Sequence, residues 1–357
     1  MSKAIFSPGP SYTNSETRKY AGWVVILDMY KEALGELGYE VIIPKVDSNL
    51  IDQASTVSKI LSYDLVAAKQ LRVTGGWLSE DIFLGPPGYS LIQMSTLFPY
   101  GVRKFLYTWN NADGWRDQQL EEEYKHFNAH YDMSPTWRWI NKEALKFSDH
   151  VIACSPWVKK THAVVVPEDK ISINFWGVDS ERYKPPVVTP NGFNILFVGG
   201  DPIRKGLIYL LNAFRGLTDC ELWVVGCQPF AEIPTNLKIR QFGMVPNEEI
   251  ASIMSKCHVI CIPTLEDGIA LAIQEGMSCG LVPITTPECA EVFVDGVSGI
   301  TVGYRDVDGI KEALKRLQSE PVTMAKFSQE ARKQAVSQPW VNTKESFKEI
   351  IRKQMIT

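Results

Sequence analysis

The chain has 357 residues, of which 45% are hydrophobic and 22% are charged, and its formal net charge is −4. This length is too great for one ordinary core and suits two domains of ordinary size. A mildly acidic chain has no global field that would draw it onto nucleic acid or anionic lipid, so the composition argues against a nucleic-acid-binding role.

Targeting signals and cysteine usage favour a cytoplasmic protein. The N-terminal residues MSKAIFSPGPSY lack the pattern of a secretory signal, and no window is long and apolar enough to cross a bilayer. The seven cysteines form no CxxC pair and lie mostly in apolar runs, so they are predicted to be buried free thiols in a reducing compartment.

Short apolar runs alternate with longer amphipathic segments almost throughout the chain. This alternation predicts βα units around parallel sheets. The stretch between Trp109 and Trp137 is polar, aromatic and acidic, and its pattern favours no element. In the first half the predicted strands are Ala4–Ser7, Glu40–Ile43, Lys104–Thr108 and His150–Cys154. The predicted helices are Gly22–Leu37 and a second one whose last residues are Glu143–Ser148.

A proline-rich stretch, YKPPVVTP at residues 183–190, predicts an interdomain linker, and the alternation restarts after it. The predicted strands of the second half are Asn194–Val198, Glu221–Val225, Lys238–Phe242, His258–Ile262, Val282–Thr285 and Gly299–Val302. The predicted helices are Gly206–Phe214, Asn247–Ser255, Ala270–Ser278, Val307–Leu317 and Trp340–Met355.

Two tandem α/β domains, each a doubly wound parallel sheet, follow from this pattern. Residues 1–187 are predicted to form an N-terminal Rossmann-like domain, residues 188–337 a second one, and residues 338–357 a C-terminal helix. Because ligands of such sheets bind outside the carboxyl ends of the strands, we expect both sheets to face a central cleft.

The most informative stretch is IPTLEDGIALAIQEGMSCGLVPITT at residues 262–286, which reads as strand, turn, helix and strand. Free amides at the start of the helix near Ala270, together with the helix dipole, suit a diphosphate. The carboxylates of Asp267 and Glu275 could accept hydrogen bonds from sugar hydroxyls. The alternative is structural: Asp267 would cap the helix and Glu275 would pair with a lysine.

This stretch resembles the signature of the glycosyl transferases group 1 (family 4), retaining nucleotide-sugar glycosyltransferases of the GT-B fold, in which seven residues separate two acidic ones. The matching residues are Asp267-Gly268-Ile269-Ala270-Leu271, Glu275-Gly276-Met277-Ser278-Cys279-Gly280 and Val282-Pro283-Ile284. Further matches, in order from about residue 143 to the end, are Trp176-Gly177-Val178-Asp179, Phe197-Val198-Gly199-Gly200, Arg204-Lys205-Gly206, Phe242-Gly243-Met244-Val245, Glu248-Glu249-Ile250, Ala290-Glu291, Asp295-Gly296, Ser298-Gly299 and Trp340.

The resemblance implies a role for each matching position. Glu275 would bind the donor ribose, and Asp267 the hydroxyls of the transferred sugar, with Glu266 as a possible substitute. Arg204 and Lys205 would neutralise the departing nucleotide diphosphate. The turn amides would hold the diphosphate, and the base would lie near Met244. The implied binding residues, besides Glu275, are Gly200, Met244, Val245, Gly268, Ile269, Ala270 and Leu271; Gly9, in a turn after the first strand, is a further phosphate candidate, with a plain turn as its alternative.

The chain departs from the family pattern at three places. Gly200 stands where the family has an arginine, so Arg204 would take over its charge. The family's G-F-G turn is Gly268-Ile269-Ala270. The strand end at residues 107–113 lacks the histidine that many members place near the sugar, and Asn110 or Asp113 is its candidate substitute.

Other chemistry-bearing residues favour structural interpretations. Asp306 and Asp308 form a D-x-D before a predicted helix, where capping is favoured over metal binding. His126 and His130 lack a metal-site pattern and, with the acidic run Glu121–Glu123, are predicted to lie on the surface. The tryptophans of the first domain are predicted to pack in its core, with sugar stacking as the alternative for an exposed one.

The sequence therefore predicts a hexosyltransferase that uses a UDP- or GDP-sugar, with retention and without a metal or other cofactor. The acceptor would be a glycan, lipid or small molecule bound by the first domain. The C-terminal helix would cross back to that domain, and its lysines would lie on a solvated face or meet a membrane surface. The alternatives are a nucleotide-sugar epimerase or a non-catalytic sugar-nucleotide-binding protein on the same fold.

Overall fold

Short, buried runs rich in Val, Ile, Leu and Phe form the central strands of two parallel sheets. A computed structural model describes residues 1–9, 12, 19, 21, 23–46, 56–131, 134–187, 190–227 and 237–356. The chain divides into two compact units, each made of separate segments. The first unit contains Met1–Asp117, His130–Phe175 and Thr343–Thr357, and the second contains Gln118–Ala129 and Trp176–Asn342.

The first unit is built on a six-stranded parallel sheet of order β2-β1-β3-β4-β5-β6. Its strands are β1 (Lys3–Phe6), β2 (Glu40–Ile42), β3 (Ile82–Gly85), β4 (Arg103–Thr108), β5 (His150–Ala153) and β6 (Ile171–Ile173). Its helices are α1 (Trp23–Glu36), α2 (Thr56–Thr74), α3 (Leu91–Leu97), α5 (Pro135–Phe147) and α6 (Pro156–His162). A further helix, α4 (Asp113–His126), is divided between the units after Asp117.

The second unit is built on a six-stranded parallel sheet of order β12-β11-β10-β7-β8-β9. Its strands are β7 (Asn194–Val198), β8 (Glu221–Val225), β9 (Ile239–Gly243), β10 (Val259–Ile262), β11 (Val282–Thr285) and β12 (Ile300–Thr301). Its helices are α7 (Leu207–Phe214), α8 (Asn247–Met254), α9 (Leu271–Ser278), α10 (Val307–Ser319) and α11 (Pro321–Val336).

The last helix, α12 (Trp340–Ile356), belongs from Thr343 onward to the first unit. Phe347 stacks on Tyr30 with ring centroids 4.2 Å apart. The Tyr30 hydroxyl donates to Asn174 Oδ1 at 2.8 Å, and Asn174 Nδ2 donates to the Thr343 carbonyl at 2.8 Å. The predicted return of this helix to the N-terminal part of the chain is confirmed. Its Lys344 and Lys348 bind Glu36, at 2.7 and 2.8 Å.

The unit boundaries differ from the predicted ones. The sequence predicts a boundary after residue 187, whereas the compact units part between Phe175 and Trp176. The described part of the proline-rich stretch lies inside the second unit, because Tyr183 is buried and its carbonyl accepts hydrogen bonds from Arg332 and Ser278, at 2.6 and 2.7 Å. Residues 188 and 189, and the predicted helix start at Gly22, lie outside the described residues.

The cysteines confirm one compositional prediction, since all seven are free and buried. Within the described ranges, none of the helices has the length and apolar character that crossing a membrane requires.

Candidate functional site

The second sheet changes direction of winding at β7, which lies between β8 and β10. Parallel strands end at the same edge of a sheet, so the segment after β7 (199–206) and the segment after β10 (263–270) lie side by side at this switch point. Doubly wound sheets bind their ligands at this position.

Backbone contacts join the two segments. The Arg204 carbonyl accepts hydrogen bonds from the Leu265 amide at 2.8 Å and from Thr264 Oγ1 at 3.1 Å. Gly206 has a φ of 71°, and a Cβ at this position would overlap the Pro263 carbonyl oxygen. Only glycine allows this close approach, which brings Arg204 and Lys205 to the end of β10.

The approach creates a cluster of buried charges. Lys205 Nζ binds Asp267 Oδ2, and Arg204 Nη1 lies 3.7 Å from Asp267 Oδ1. Arg204 Nη1 also donates to the Glu266 carbonyl at 3.0 Å, and Nη1 is 3.6 Å from the buried Glu266 carboxylate. On the other side, Arg204 Nε is 3.6 Å from Asp201 Oδ2. These contacts bring the charged residues of the two segments together.

Opposite charges keep this cluster ionised despite its burial. Burial alone would raise the pKa of Asp267, but the charges of Lys205 and Arg204 outweigh it and hold this pKa below its usual range. Burial likewise opposes the charge on Arg204, yet Asp267, Glu266 and Asp201 raise its pKa. A site that already holds two cations in a buried position can receive an anion by exchange of the carboxylate partners.

The turn before α9 is the segment for which the sequence predicts a diphosphate cradle. The helix begins at Leu271, and its N-cap Ala270 makes no side-chain capping bond. Asp267 does not cap the helix, because its Oδ1 accepts from the Gly268 amide at 3.1 Å while Oδ2 binds Lys205. The Ala270 amide donates to the thiol of Cys289. Ile269 is buried and Leu271 is half-buried.

Glu275 lies inside α9 and is half-buried. It accepts a hydrogen bond from the Tyr183 hydroxyl, and no lysine is among the groups that shift its pKa. Burial raises this pKa to about 7, although Tyr183 and Arg182 act in the opposite direction. Glu275 is therefore a carboxyl that titrates near neutrality.

The remaining predicted binding residues are divided between the units. Gly200 follows β7 and is exposed, and a Cβ there would lie 3.8 Å from the Gly226 carbonyl oxygen. Met244 and Val245 follow β9 at the same edge of the second sheet; Met244 is 57% exposed and Val245 is buried. Gly9 lies in the first unit and has a φ of 88°. A Cβ added to it would lie 3.4 Å from the Tyr89 ring.

The first unit holds a cavity of about 550 Å³, within the range of small-ligand sites. It opens where β3 and β4 end, and the predicted strand end at residues 107–113 forms part of its wall. Its lining includes both aromatic rings and polar side chains. Among its lining residues are Tyr89, Trp109, Trp137, Thr108, Asn110, Asn111, Asp113, Arg116, Asp117, Arg138, Asn141, Lys142 and His162.

Internal bonds hold the polar lining in place. Asn141 Nδ2 donates to both oxygens of Asp113, at 3.0 and 3.3 Å. Arg138 Nε lies 2.6 Å from Asp117 Oδ2. Burial raises the pKa of Asp113, with Asn141 opposing the shift. Carboxylate, amide and guanidinium groups beside aromatic walls can bind a hydroxylated ligand.

His162 was missed by the sequence pattern, which shows no histidine near the strand end. It ends α6, and its Nε2 lies 3.4 Å from Thr108 Oγ1 while Nδ1 is 3.0 Å from the Val158 carbonyl. Burial lowers its pKa to about 4, so the ring is neutral at pH 7. Parallel pairing of β4 with β5 places α6 beside Thr108, and no local spacing signals this.

The structural interpretations are confirmed for Asp306 and for two histidines, but the predicted core packing of the tryptophans is wrong for Trp139, which is 59% exposed. Asp306 caps α10 by accepting from the Gly309 amide at 2.8 Å, and His126 and His130 are exposed. The prediction for the acidic run is wrong at one residue: Glu123 is buried, because it binds Arg305 Nε at 2.7 Å.

Comparisons with known proteins agree with this geometry. Residues 192–320 match the family model described as Glycosyl transferases group 1. An uncharacterized glycosyltransferase of Methanocaldococcus jannaschii is 25% identical over 50% of this chain and 52% of that protein. The MMP alpha-(1->4)-mannosyltransferase of Mycolicibacterium hassiacum is 28% identical over 45% of this chain and 42% of that enzyme. The chain thus spans about half, or less, of the length of these relatives.

Solved structures identify the architecture. Sucrose-phosphate synthase from Thermosynechococcus elongatus aligns with a TM-score of 0.80 and 16% identity over 98% of both chains. Anabaena HepE, solved with UDP and glucose, aligns with a TM-score of 0.69 and 14% identity over 99% of this chain and 100% of that one. The chain has the predicted α/β GT-B fold, and the family model, relatives and neighbours together support a transferase.

Proposed function

We propose that this protein is a glycosyltransferase that transfers a hexose from a UDP- or GDP-sugar to a hydroxylated acceptor. The observation that carries the proposal is the cluster of Arg204, Lys205 and Asp267 at the switch point of the second sheet. Basic side chains and a carboxylate side by side match the two ends of such a donor, which is a diphosphate joined to a sugar.

In the proposed donor site, the diphosphate replaces Asp267 as the partner of Lys205 and Arg204. The freed Asp267 carboxylate then accepts hydrogen bonds from hydroxyls of the transferred sugar. Glu275 binds the donor ribose, and Met244 and Val245 flank the base. HepE, solved with UDP and glucose, supports a nucleotide-sugar donor for this fold.

The proposed acceptor site is the cavity of the first unit. Its volume of about 550 Å³ and its polar lining suit one sugar ring or a small hydroxylated molecule. Asp113, held by Asn141, is a candidate acceptor of hydroxyl hydrogen bonds, and Trp137 offers an aromatic face for stacking.

In the proposed reaction, the bond between the anomeric carbon and the diphosphate oxygen breaks, and a bond to the acceptor oxygen forms on the same face of the sugar. Negative charge grows on the departing diphosphate, where Arg204 and Lys205 stabilise it without a metal ion. The acceptor proton passes to an oxygen of the leaving diphosphate.

The test combines a binding screen with turnover. A donor at a hundred times its dissociation constant should stabilise the fold by about 2.7 kcal/mol, so we expect a thermal shift with one nucleotide-sugar class. With that donor, release of nucleoside diphosphate should require an acceptor and should persist in chelator. Arg204→Ala should lower kcat by about 10²–10³-fold.

Arg215→Ala is the matched control, because Arg215 lies exposed at the end of α7 in the same unit. Its turnover should equal that of the wild type. The proposal fails if no nucleotide or nucleotide-sugar shifts the melting temperature, or if Arg204→Ala and Arg215→Ala have equal effects.

A further inference from the structure

Residues 118–129, here termed the α4 segment, belong to the second unit although they are separated from the rest of it in sequence. Glu123 is the buried anchor of this segment. Its carboxylate accepts from the Tyr209 hydroxyl and from Arg305 Nε, while Arg305 Nη2 donates to the Gln119 carbonyl at 2.8 Å.

Arg305 itself has a φ of 61°, a left-handed conformation that non-glycine residues adopt at an energetic cost. The contacts of Arg305 hold the segment beside the turn before α10, next to the side chain of Tyr124.

Tyr124 continues the polar contacts toward the charge cluster. Its hydroxyl donates to Asp201 Oδ2. The other oxygen of Asp201 accepts from the Arg204 amide at 3.1 Å, and Oδ2 is 3.6 Å from Arg204 Nε. The Asp201 carboxylate is therefore shared between Tyr124 and Arg204.

We infer that Tyr124 is a positioning residue for Arg204 and that it acts through Asp201. This inference rests on the proposed function of the donor site. By engaging Asp201, the Tyr124 hydroxyl limits how closely this carboxylate pairs with the guanidinium. Arg204 then remains directed toward Glu266 and Asp267, where the diphosphate is proposed to bind. Without the hydroxyl, Asp201 turns toward Arg204 and competes with the ligand for its charge.

The experiment compares Tyr124→Phe with Tyr209→Phe in the full chain. Each variant removes one hydroxyl that donates to a carboxylate in the same region, but only Tyr124 contacts Asp201. UDP and GDP are titrated by calorimetry, and kcat is measured with the donor that the wild type uses. We expect Tyr124→Phe to weaken diphosphate binding and lower kcat, each by about tenfold, and Tyr209→Phe to change each by less than about twofold.

A double-mutant cycle separates positioning from general damage. In the Arg204→Ala background, Tyr124→Phe should change diphosphate affinity by less than about twofold, because the group it positions is gone. The inference is wrong if Tyr124→Phe and Tyr209→Phe lower diphosphate affinity and kcat equally. It is also wrong if Tyr124→Phe lowers diphosphate affinity as much in the Arg204→Ala background as in the wild type. Neither result would contradict the proposed donor site. If the wild type binds neither UDP nor GDP, the proposed function fails and the inference fails with it.

Discussion

At the residue scale, Glu275 is the titratable group with the clearest consequence for pH dependence. Burial raises its pKa from 4.5 to about 7. The folded state therefore holds this proton at pH values where the unfolded chain has lost it. The resulting stabilisation is full below pH 4.5 and is lost as the pH rises through 7.

Replacement of Glu275 by Gln should remove this pH dependence, because Gln resembles the protonated acid. Relative to the wild type, Glu275→Gln should gain roughly 2 kcal/mol in free energy of unfolding between pH 5.5 and pH 8. Urea unfolding at both values measures the difference. The exposed Glu248→Gln should show no such gain relative to the wild type. The prediction is wrong if Glu275→Gln and the wild type lose equal stability between the two pH values.

Gly206 tests the close approach of the two site segments. Gly206→Ala should destabilise the protein by more than about 2 kcal/mol, because the new Cβ overlaps the Pro263 carbonyl in addition to the left-handed φ. Gly243→Ala is the matched control, since Gly243 has a φ of 65° and nothing within 4 Å of a Cβ. It should lose only about 1 kcal/mol. Equal losses by chemical unfolding would show that the overlap is unimportant.

At the element scale, α12 docks on the first unit through a buried polar chain as well as through rings. Asn174 is fully buried and joins the Tyr30 hydroxyl to the Thr343 carbonyl. Removal of its amide breaks both of these buried hydrogen bonds at once, which is costlier than the loss of one.

Asn174→Ala should therefore lower the free energy of unfolding by about 2–4 kcal/mol, and Tyr30→Phe by about 1 kcal/mol. The exposed Glu349→Ala on α12 should have little effect. Amide hydrogen exchange supplies the local measurement: exchange should accelerate in α12 of the Asn174 variant. Unchanged protection there would refute the docking role.

Four strands of the second unit, β7, β8, β10 and β11, were predictable almost to the residue, because each is a largely buried apolar run bounded by turn residues. Helix α4 was not, since its sequence DGWRDQQLEEEYKH is polar on nearly every side and buries only Leu120 and Glu123. The strands β3 and β6 were also missed. Strand β3 has the four residues IFLG and strand β6 has the three residues ISI. Both are too short to show the alternation of apolar and polar residues that indicates a strand.

The candidate site divides in the same way. The convergence of Arg204 and Lys205 on Asp267 was predictable, because segments after adjacent parallel strands must meet at one edge. His162, Tyr124 and Asp201 were not, because their contacts join residues that only the tertiary fold brings together. The hydrogen bond between the Ala270 amide and Cys289 could not be predicted from the spacing of residues in the sequence either.

At the scale of the whole molecule, each unit is assembled from separated parts of the chain. The second unit needs the α4 segment, so a fragment of residues 176–342 alone would leave Arg305, Tyr209 and Asp201 without the partners they bind in the full chain. We expect that fragment to be less stable than a version supplied with a peptide of residues 113–131. Circular dichroism melts with and without the peptide test this, and equal melting temperatures would contradict it.

The interleaving has a consequence for biosynthesis. Thr343–Thr357 completes the first unit, yet these residues are translated after Trp176–Asn342, the main segment of the second unit. The second sheet is therefore synthesised in full before Phe347 can pack on Tyr30 and before the Thr343 carbonyl can bind Asn174. On the ribosome, the surface of the first unit that α12 later covers should stay exposed during this time. A chaperone or a protease can act on the nascent chain there until α12 docks.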